Sequence, residues 1–156
     1  MATRGFLLIA GDGLSAIAGK PELLSHRNIP AVLTPHLGEM SRLCAYSVSE
    51  ISKNPISILK DCSKRYNSII VLKGAHSLIG FPDGKVSVNL SGNSGLATAG
   101  SGDILTGIIA ELYGLGLSET ECVIHGVFLH GAAGDLTAEK LGKDGMTASD
   151  ILEMLP

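Results

Sequence analysis

The sequence carries little charge, and the two signs are nearly balanced. Only 17% of its 156 residues are charged, and the formal net charge is −3 at pH 7. Nucleic acids and anionic membranes attract proteins through clustered positive charge, which this composition does not supply. We therefore expect neither nucleic acid nor membrane among its partners. With 45% hydrophobic residues, the chain fits one globular domain over residues 1–156.

Cysteine is scarce and long apolar runs are missing. The three cysteines, Cys44, Cys62 and Cys122, lie far apart in the sequence and form no C-x-x-C pair. This pattern suggests neither a disulfide framework nor a thiolate zinc site, and it favours a reducing compartment. The first apolar stretch, 6–10, is too short for a signal peptide or a membrane span. The sequence thus predicts a soluble, cytoplasmic protein.

Three short apolar runs predict buried strands. They cover residues 6–9, 29–34 and 69–72. None of them alternates between apolar and polar residues, which is typical of strands covered on both faces in a parallel α/β sheet. Between the second and third runs, Pro55 precedes apolar residues at 56, 59, 62 and 66, which follow helical spacing. The order of strand, helix and strand indicates the α/β class.

Turn residues organise the remaining half of the sequence. Asp83-Gly84 separates two short β-type runs and predicts a hairpin at the edge of the sheet. Residues 104–155 predict three helices, with breaks near Gly116 and at 142–145. The middle helix contains three glycines, each of which costs about 1 kcal/mol relative to alanine. Either the backbone packs tightly at these glycines, which are Gly126, Gly131 and Gly134, or the helix prediction is wrong there.

The most informative stretch is 93–103, Asn-Ser-Gly-Leu-Ala-Thr-Ala-Gly-Ser-Gly-Asp. Gly100 and Gly102 permit backbone conformations in which successive N–H groups turn toward one anion. Because the apolar spacing of 104–112 predicts a helix, these groups would lie at a helix N-terminus with its partial positive charge. Asp103 would either cap this helix or act as a base beside a bound phosphate. We favour the base, because a plain cap requires no close backbone approach.

Two common nucleotide-binding patterns are incomplete in this sequence. Residues 11–16 match G-x-G-x-x-A after a predicted strand, but no acidic residue follows about twenty positions later. A tight turn from strand to helix is the better interpretation. Gly95 and Gly100 have the spacing of a P-loop, yet Ser101 and Gly102 stand where Lys and Ser or Thr are needed. The stretch 93–103 is therefore no Walker motif.

Two more loops follow predicted strands, at the edge where ligands bind in doubly wound sheets. One contains His36 and Glu39, and the other is Lys-Gly-Ala-His-Ser at 73–77. Taken singly, His36 could be a solvated side chain, Glu39 a first-turn helix residue and Lys73 a surface charge. Three such loops together indicate a ligand site.

The polar residues of the C-terminal helices carry no functional prediction. His125 and His130 are five residues apart, about 140° around a helix, so they cannot share a metal ion from one face. We interpret both as structural. Asp135 and Asp150 have no evident partner in the sequence, and no residue is predicted to bind a metal ion.

Five segments together closely resemble the ADP/ATP-dependent NAD(P)H-hydrate dehydratases of the ribokinase-like superfamily. They are 34–39, 71–75, 93–103, 130–135 and 148–151, and they occur in the family's order. The string Gly-Leu-Ala-Thr-Ala-Gly-Ser-Gly-Asp is specific to that family. The resemblance implies an α/β fold, a ribokinase-like three-layer αβα sandwich. It also implies repair of hydrated NADH or NADPH by phosphorylation of the hydrate hydroxyl and loss of phosphate.

The resemblance further implies roles for individual residues. Asp103 looks like the base that takes the hydroxyl proton, and His36 and Asn93 are implied to bind the hydrated dinucleotide together with it. The implied nucleotide-binding residues are Lys73, Gly74, Ala75, His76, Ser77, Gly100, Ser101 and Gly102. Mg²⁺ is expected as a counter-ion of the phosphates. ADP and ATP both remain open as the phosphoryl donor.

The sequence also departs from the family. Members have about another hundred residues before the equivalent of Phe6, so the sandwich is expected to be incomplete at its N-terminal side. Ala10 and Ser15 replace an Asp and an Asn that are usual in the family. One alternative is a small-molecule kinase of the same superfamily, against which His36 and the tetrapeptide 100–103 argue. Another is a catalytically incomplete, truncated subunit. An exposed sheet edge also predicts a homo-oligomer.

Overall fold

The computed structural model describes residues 5–156, and its sheet and helices confirm the α/β class. The chain divides into two compact units. The first runs to Lys73 and includes Leu78–Ser87, and the second comprises Gly74–Ser77 and Val88–Pro156. The single domain that the length suggests stays a prediction. Within residues 5–156, no helix is both long enough and apolar enough to cross a membrane.

Five strands form one sheet. In chain order they are β1 (Leu8–Ile9), β2 (Ala31–Leu33), β3 (Ser68–Leu72), β4 (Leu78–Gly80) and β5 (Val86–Val88). They lie side by side in this same order. The first three are parallel, with Val32 opposite Leu8 on one side and Ile69 on the other, and β4 runs antiparallel to β3. Every residue of β2 and β3 is buried, which confirms the prediction of strands covered on both faces for these two. For 6–9 the prediction is wrong, since β1 comprises only Leu8 and Ile9 and both are half-buried at the edge of the sheet.

The predicted hairpin connects β4 to β5. The Phe81 N–H donates to the Lys85 carbonyl oxygen at 3.0 Å, and the Gly84 N–H donates to the Phe81 carbonyl oxygen at 2.9 Å. Gly84 has φ +87°, a left-handed conformation that favours glycine at this turn. The Asp-Gly pair therefore sets the position of the turn.

Five helices belong to the first unit. They are α1 (Asp12–Ile17), α2 (Glu22–Ser25), α3 (Leu37–Cys44), α4 (Val48–Lys53) and α5 (Pro55–Arg65). The predicted helix that begins at Pro55 is confirmed. Its buried face starts at Ile58 and Leu59, whereas Ile56 is 47% exposed. The prediction that Ile56 faces the core is wrong, because the apolar stripe begins one turn further along.

The core of the first unit is organised around Tyr66 at the end of α5. Its ring is fully buried, and its hydroxyl donates to the Leu43 carbonyl oxygen at 2.8 Å and accepts the Gly19 N–H at 2.9 Å. Burial raises the pKa of the Tyr66 hydroxyl. One side chain thus links α1, α3 and α5 into a single core.

The structure pairs Cys44 with Cys62 as a disulfide, contrary to the sequence prediction. Their Cα atoms are 6.0 Å apart, within the range of such bonds. The Arg65 guanidinium donates to the Cys44 carbonyl oxygen at 2.7 Å, which holds the ends of α3 and α5 together. The separation of 18 residues carried no indication of this pairing, because tertiary packing brings the two helices into contact.

Three α-helices and one 3₁₀ turn form most of the second unit. They are the 3₁₀ turn Ser94–Ala97, α6 (Ser101–Gly114), α7 (Glu119–Leu141) and α8 (Ala148–Glu153). The three predicted helices and both predicted breaks are confirmed. The helix α7 runs without a break through its three glycines. At each of them a neighbouring segment packs so close to the helix that a side chain would not fit. A Cβ at Gly126 would lie 2.8 Å from Ile109, and one at Gly134 would lie 2.5 Å from Leu96. Tight packing is therefore the correct alternative.

Candidate active site

The first turn of α6 has no side-chain cap. Its N-cap is Gly100, with φ +85°, which turns the chain into the helix without a side chain of its own. The N–H groups of Asp103 and Ile104 donate to the Gly100 carbonyl oxygen at 3.0 and 3.2 Å. The Gly102 N–H makes no hydrogen bond to any residue between 5 and 156. A donor is therefore available where the helix dipole favours an anion.

Asp103 does not serve as a helix cap. It is exposed, lies at the third position of α6, and forms no hydrogen bond or ion pair with the described part of the chain. Four other helices place a carboxylate at this same position and use it to cap the helix. These residues are Glu39, Glu50, Glu121 and Asp150. The capping alternative for Asp103 is thereby removed, and its carboxylate stays available beside the free N–H.

The start of α6 is held in place by α7 and α8. The buried Ser101 side chain faces His130, with 3.0 Å between the Ser101 Oγ and His130 Nε2 atoms. A Cβ at Gly100 would lie 3.1 Å from the Ala148 Cβ, so α8 approaches this turn closely. The Ser101 hydroxyl is directed to His130, and the Ser101 N–H donates to the Thr98 carbonyl oxygen at 3.3 Å, so the predicted contact of Ser101 with a nucleotide stays a prediction. This also assigns the buried His130 a structural contact, as the sequence suggested.

Asn93 shapes the loop that precedes the 3₁₀ turn. Its Oδ1 accepts the Gly95 N–H at 2.9 Å, and its Nδ2 donates to the Gly134 carbonyl oxygen at 3.0 Å and to Asp135 Oδ1 at 2.9 Å. The other Asp135 oxygen accepts the Gly92 N–H at 2.8 Å. Asp135 ends one of the five family-like segments, but its partners lie more than 40 residues away and no local pattern identified them. Its contacts nevertheless connect α7 to this loop.

The segment Gly74–Ser77 lies beside the same loop. The Asn89 N–H donates to the Ser77 carbonyl oxygen at 2.9 Å. A Cβ at Gly92 would lie 3.9 Å from the Ala75 carbonyl oxygen. Two of the regions predicted to bind nucleotide, 74–77 and 100–102, therefore belong to the same compact unit. His76 and Ala75 are exposed there.

His36 and Lys73 belong to the first unit. His36 is the N-cap of α3, and its Nδ1 accepts the Gly38 N–H at 3.0 Å and the Glu39 N–H at 3.4 Å. A ring nitrogen that accepts hydrogen bonds carries no proton, so the proton of the neutral ring is on Nε2. The His36 side chain is 55% exposed. Its Nε2 atom lies 3.6 Å from Glu39 Oε1, in the loop that follows β2.

Glu39 links the two predicted site residues of this unit. Its carboxylate is only 10% exposed, accepts the His36 N–H at 2.7 Å and lies 3.8 Å from Lys73 Nζ. The Lys73 N–H also donates to the Pro35 carbonyl oxygen at 2.9 Å. Lys73 is thus held at the end of β3 and is more than a free surface charge. Glu39 lies in the first turn of α3, which is the alternative that the sequence left open for it, and it also contacts Lys73.

Other reactive side chains lie outside these clusters. Burial raises the pKa of the Cys122 thiol to about 11, so this cysteine is a poor nucleophile at neutral pH. His125 is exposed on α7. Asp150 finds its partner in Thr147, whose hydroxyl donates to it at 2.6 Å, and this hydrogen bond lowers the pKa of the Asp150 carboxyl. Asp150 is therefore a capping residue of α8.

The fold is that of the ribokinase-like proteins. A ribokinase-like superfamily protein from Enterococcus faecalis superposes on the whole chain with a TM-score of 0.82 and 27% identity. The chain covers 52% of that protein. The three-layer class expected from the sequence is thereby supported by a solved structure.

The chain belongs to the NAD(P)H-hydrate dehydratase family, whose model matches residues 1–156. The bifunctional NAD(P)H-hydrate repair enzyme Nnr of Thermofilum pendens is 51% identical over 150 residues, which are 96% of this chain and 29% of that enzyme. The ADP/ATP-dependent NAD(P)H-hydrate dehydratase of Bacillus subtilis, co-crystallized with ATP/Mg²⁺, has a TM-score of 0.88 and 30% identity. That match covers 97% of this chain and 53% of the B. subtilis protein. The family predicted from the motifs is confirmed, and the chain spans about half the solved protein or less than a third of the bifunctional one.

Proposed function

We propose that this chain dehydrates hydrated NADH or NADPH in a nucleotide-dependent reaction. Membership of the dehydratase family supports the reaction class. The observation that carries the proposal is the start of α6, where a free backbone N–H and a free carboxylate follow a bare glycine cap. We propose in addition that residues 1–156 act as one ribokinase-like domain in the cytoplasm.

The phosphate contacts come from the backbone. The Gly102 N–H and the positive end of the α6 dipole would stabilise the terminal phosphoryl group of ADP or ATP as it is transferred. Phosphoryl transfer depends mainly on positioning and on charge stabilisation, and groups fixed by a helix supply both without rearrangement. Gly100 and Gly102 matter here because they leave room for the phosphate beside the backbone.

Asp103 would act as the general base. Its carboxylate takes the proton of the hydrate hydroxyl while that oxygen attacks the terminal phosphorus, and the bond from phosphorus to the nucleotide's bridging oxygen breaks. The carbon–oxygen bond of the phosphorylated hydrate then breaks. Phosphate leaves with the electrons of that bond, the neighbouring ring carbon gives its proton to the departing phosphate, and the electron pair of the broken C–H bond forms the ring double bond. The exposed position of Asp103 leaves it accessible to a substrate hydroxyl.

The remaining predicted residues would bind the two substrates. The Nε2 proton of His36 is suited to donate to a substrate oxygen, because Nδ1 is already occupied as an acceptor. Lys73, whose Nζ atom lies 3.8 Å from Glu39, would supply a positive charge for nucleotide binding. Gly74–Ser77 would contact the adenine nucleotide through its backbone. Direct substrate binding by Asn93 stays a prediction, since its side chain is already engaged in three hydrogen bonds.

Mg²⁺ would accompany the nucleotide phosphates. Among residues 5–156, no group of three His, Cys, Asp or Glu side chains is arranged to hold a metal ion. Mg²⁺ in nucleotide enzymes is commonly bound by substrate phosphates and water with one or two carboxylates. Such an ion would neutralise phosphate charge, with phosphate and water oxygens as its main ligands. Asp103 is the carboxylate nearest in the sequence to the proposed phosphate contacts.

The test is an assay of NADH recovery. Purified protein is incubated with hydrated NADH, Mg²⁺ and either ADP or ATP, and the absorbance of the dihydronicotinamide ring is followed. We expect recovery only when a nucleotide is present, and the preferred nucleotide identifies the phosphoryl donor. Binding of nucleotide without any recovery of absorbance would contradict the proposal. It would favour the alternative of a catalytically incomplete subunit.

A further inference from the structure

Asp135 on α7 contacts the loop that leads to the proposed phosphate site. We infer that Asp135 is a positioning residue, which fixes this loop and through it the start of α6. Its effect on catalysis rests on the proposed function, whereas its effect on the loop does not. All the contacts involved lie within the second unit.

The Asp135 carboxylate binds two successive residues of the loop. Its Oδ2 accepts the Gly92 N–H at 2.8 Å, and its Oδ1 accepts the Asn93 Nδ2 at 2.9 Å. Gly92 has φ +104°, a conformation that L-residues rarely adopt, so the chain turns sharply at this point. The carboxylate thus stabilises the backbone and the side chain on either side of an uncommon turn.

The Asn93 side chain connects the turn at Gly92 with the 3₁₀ turn through hydrogen bonds. While one Nδ2 proton is donated to Asp135, the other is donated to the Gly134 carbonyl oxygen at 3.0 Å. The Asn93 Oδ1 accepts the Gly95 N–H at 2.9 Å. Hydrogen bonds therefore connect α7 with Gly92 and Asn93, and Asn93 with Gly95. This arrangement requires a side chain at position 135 that only accepts hydrogen bonds. At position 93 it requires a side chain that both donates and accepts them.

The other end of the same segment is also attached to α7. Ser101 contacts His130 at 3.0 Å, five residues before Asp135 on the same helix. The loop and the first turn of α6 are therefore both attached to α7, at the two ends of residues 92–101. Without the Asp135 contacts, this end would keep only the donation from Asn93 Nδ2 to the Gly134 carbonyl oxygen and that from Ser91 Oγ to the Phe128 carbonyl oxygen at 3.1 Å. The turn at Gly92 would lose its acceptor, and the Gly102 N–H and Asp103 would then be held less firmly in one arrangement.

An exchange of the two side chains tests this inference. In Asp135→Asn, the new amide N–H₂ group faces a donor, either the Gly92 N–H or Asn93 Nδ2. In Asn93→Asp, the new carboxylate faces the carboxylate of Asp135. In the double variant, the new amide at position 135 can accept the Gly92 N–H and donate to the new carboxylate at position 93, which still accepts the Gly95 N–H. The hydrogen bond to Gly134 is lost, and its carbonyl oxygen then faces a carboxylate oxygen, so the restoration is expected to be incomplete. Each single variant is expected to disorder the loop, and the double variant is expected to restore it in part.

Two measurements are made on each variant. Amide hydrogen exchange of peptides covering 89–97 is expected to be faster in both single variants and closer to wild type in the double variant. Misplacement of a reacting group by about 1 Å can lower turnover about 100-fold, so kcat is expected to fall by that order in the single variants, with a smaller change in the KM for nucleotide. Because Asn93 is also a proposed substrate-binding residue, the double variant is judged by its exchange pattern alone.

Thr137→Val is the matched control on the same helix. The buried Thr137 hydroxyl donates to the Ala133 carbonyl oxygen at 2.8 Å, one turn back along α7, and to the Asp150 carbonyl oxygen of α8 at 3.3 Å. This variant is expected to lower Tm without changing exchange at 89–97. It therefore separates a general loss of stability from a loss of positioning.

Two results would overturn the inference. One is wild-type exchange at 89–97 in Asp135→Asn, and the other is a double variant that behaves no better than the worse single variant. Failure of the proposed function would be distinct, because a wild-type protein that restores no NADH can still show the expected exchange pattern. In that case the positioning of the loop by Asp135 stands and the assigned reaction is wrong.

Discussion

The helices α6 and α7 begin with similar sequences but in different ways. Each has an acidic residue at its third position, Asp103 in α6 and Glu121 in α7. In α7 the N-cap is Ser118, whose hydroxyl and N–H donate to Glu121 at 2.6 and 3.0 Å. In α6 the N-cap is Gly100, and Asp103 has no partner among residues 5–156.

The two helix starts therefore differ in whether their backbone N–H groups and their carboxylate are available to bind a ligand. A capping box satisfies backbone donors and acidic side chain together, which leaves neither for a ligand. A glycine cap leaves both, at a cost in helix stability that the packing of α6 against α7 and α8 must offset. The N-cap residue, more than the acidic residue, therefore indicates which helix start is functional.

Asp103→Asn should have the largest effect on turnover. Removal of a general base lowers the rate by about 10²–10⁴-fold, and an amide cannot accept the hydroxyl proton. We expect kcat for NADH recovery to fall by this factor, while nucleotide affinity and Tm stay close to wild type. Glu121→Gln is the matched control, since it changes the equivalent residue of α7 and should leave kcat unchanged. Normal turnover in Asp103→Asn would remove this residue as the base.

Gly100→Ala should affect both stability and turnover. The left-handed φ of +85° costs an L-residue about 1–2 kcal/mol, and the new Cβ would lie 3.1 Å from the Ala148 Cβ. We expect a free energy of unfolding lower by that amount and a reduced kcat. Gly107→Ala in the same helix has open space around its Cβ and should stabilise by about 0.5–1 kcal/mol. Equal effects of the two substitutions on denaturant unfolding would contradict this account.

Ser118→Ala should lower stability without altering the reaction. Loss of an N-cap hydroxyl typically costs about 1 kcal/mol, and no proposed site residue lies in this turn. The expected result is a lower unfolding midpoint with kcat and KM at wild-type values. A fall in kcat would show that the two helix starts are coupled and would weaken the comparison.

Glu121→Gln should have the smallest effect, and one that depends on pH. Hydrogen bonds from Ser118 lower the pKa of the Glu121 carboxyl in the folded chain. A carboxyl whose pKa is lower when folded contributes stability that is full above about pH 5 and is lost as the pH falls through the folded pKa. Wild type should therefore exceed Glu121→Gln in stability at pH 7, and the difference should shrink at acid pH. A constant difference across this range would exclude the carboxylate as its source.

Much of the fold could be predicted from local patterns. The apolar runs identified β2 and β3, because a strand buried on both faces needs apolar residues at nearly every position. Pro55 and the Asp83-Gly84 pair marked a helix start and a turn, since both act through their own backbone preferences. The helices α3 and α4 were not predicted, because their short sequences are held by capping boxes rather than by a long apolar stripe.

The candidate site could be predicted only in part. The sequence identified Asp103, the glycines around it and the loop from Lys73 to Ser77, since backbone-lined anion sites need glycine near a helix start. It did not identify Asp135, because the contacts to Gly92 and Asn93 cross more than 40 residues. The Cys44–Cys62 pair was missed for the same reason, since its two residues meet only through tertiary packing. Assignment of roles to the predicted residues awaits the variants described above.

The sequence by itself determined the α/β class, through its apolar runs, and the family, through its motifs. It also identified Gly100 and Asp103 as candidate site residues, because a glycine and an acidic residue at a helix start form a local pattern. Only the tertiary structure decided that Asp103 is free while Glu121 is bound, and that α7 holds the loop through Asp135. Hydrogen bonds between residues far apart in the sequence depend on how the helices pack against each other. No local sequence pattern specifies this packing.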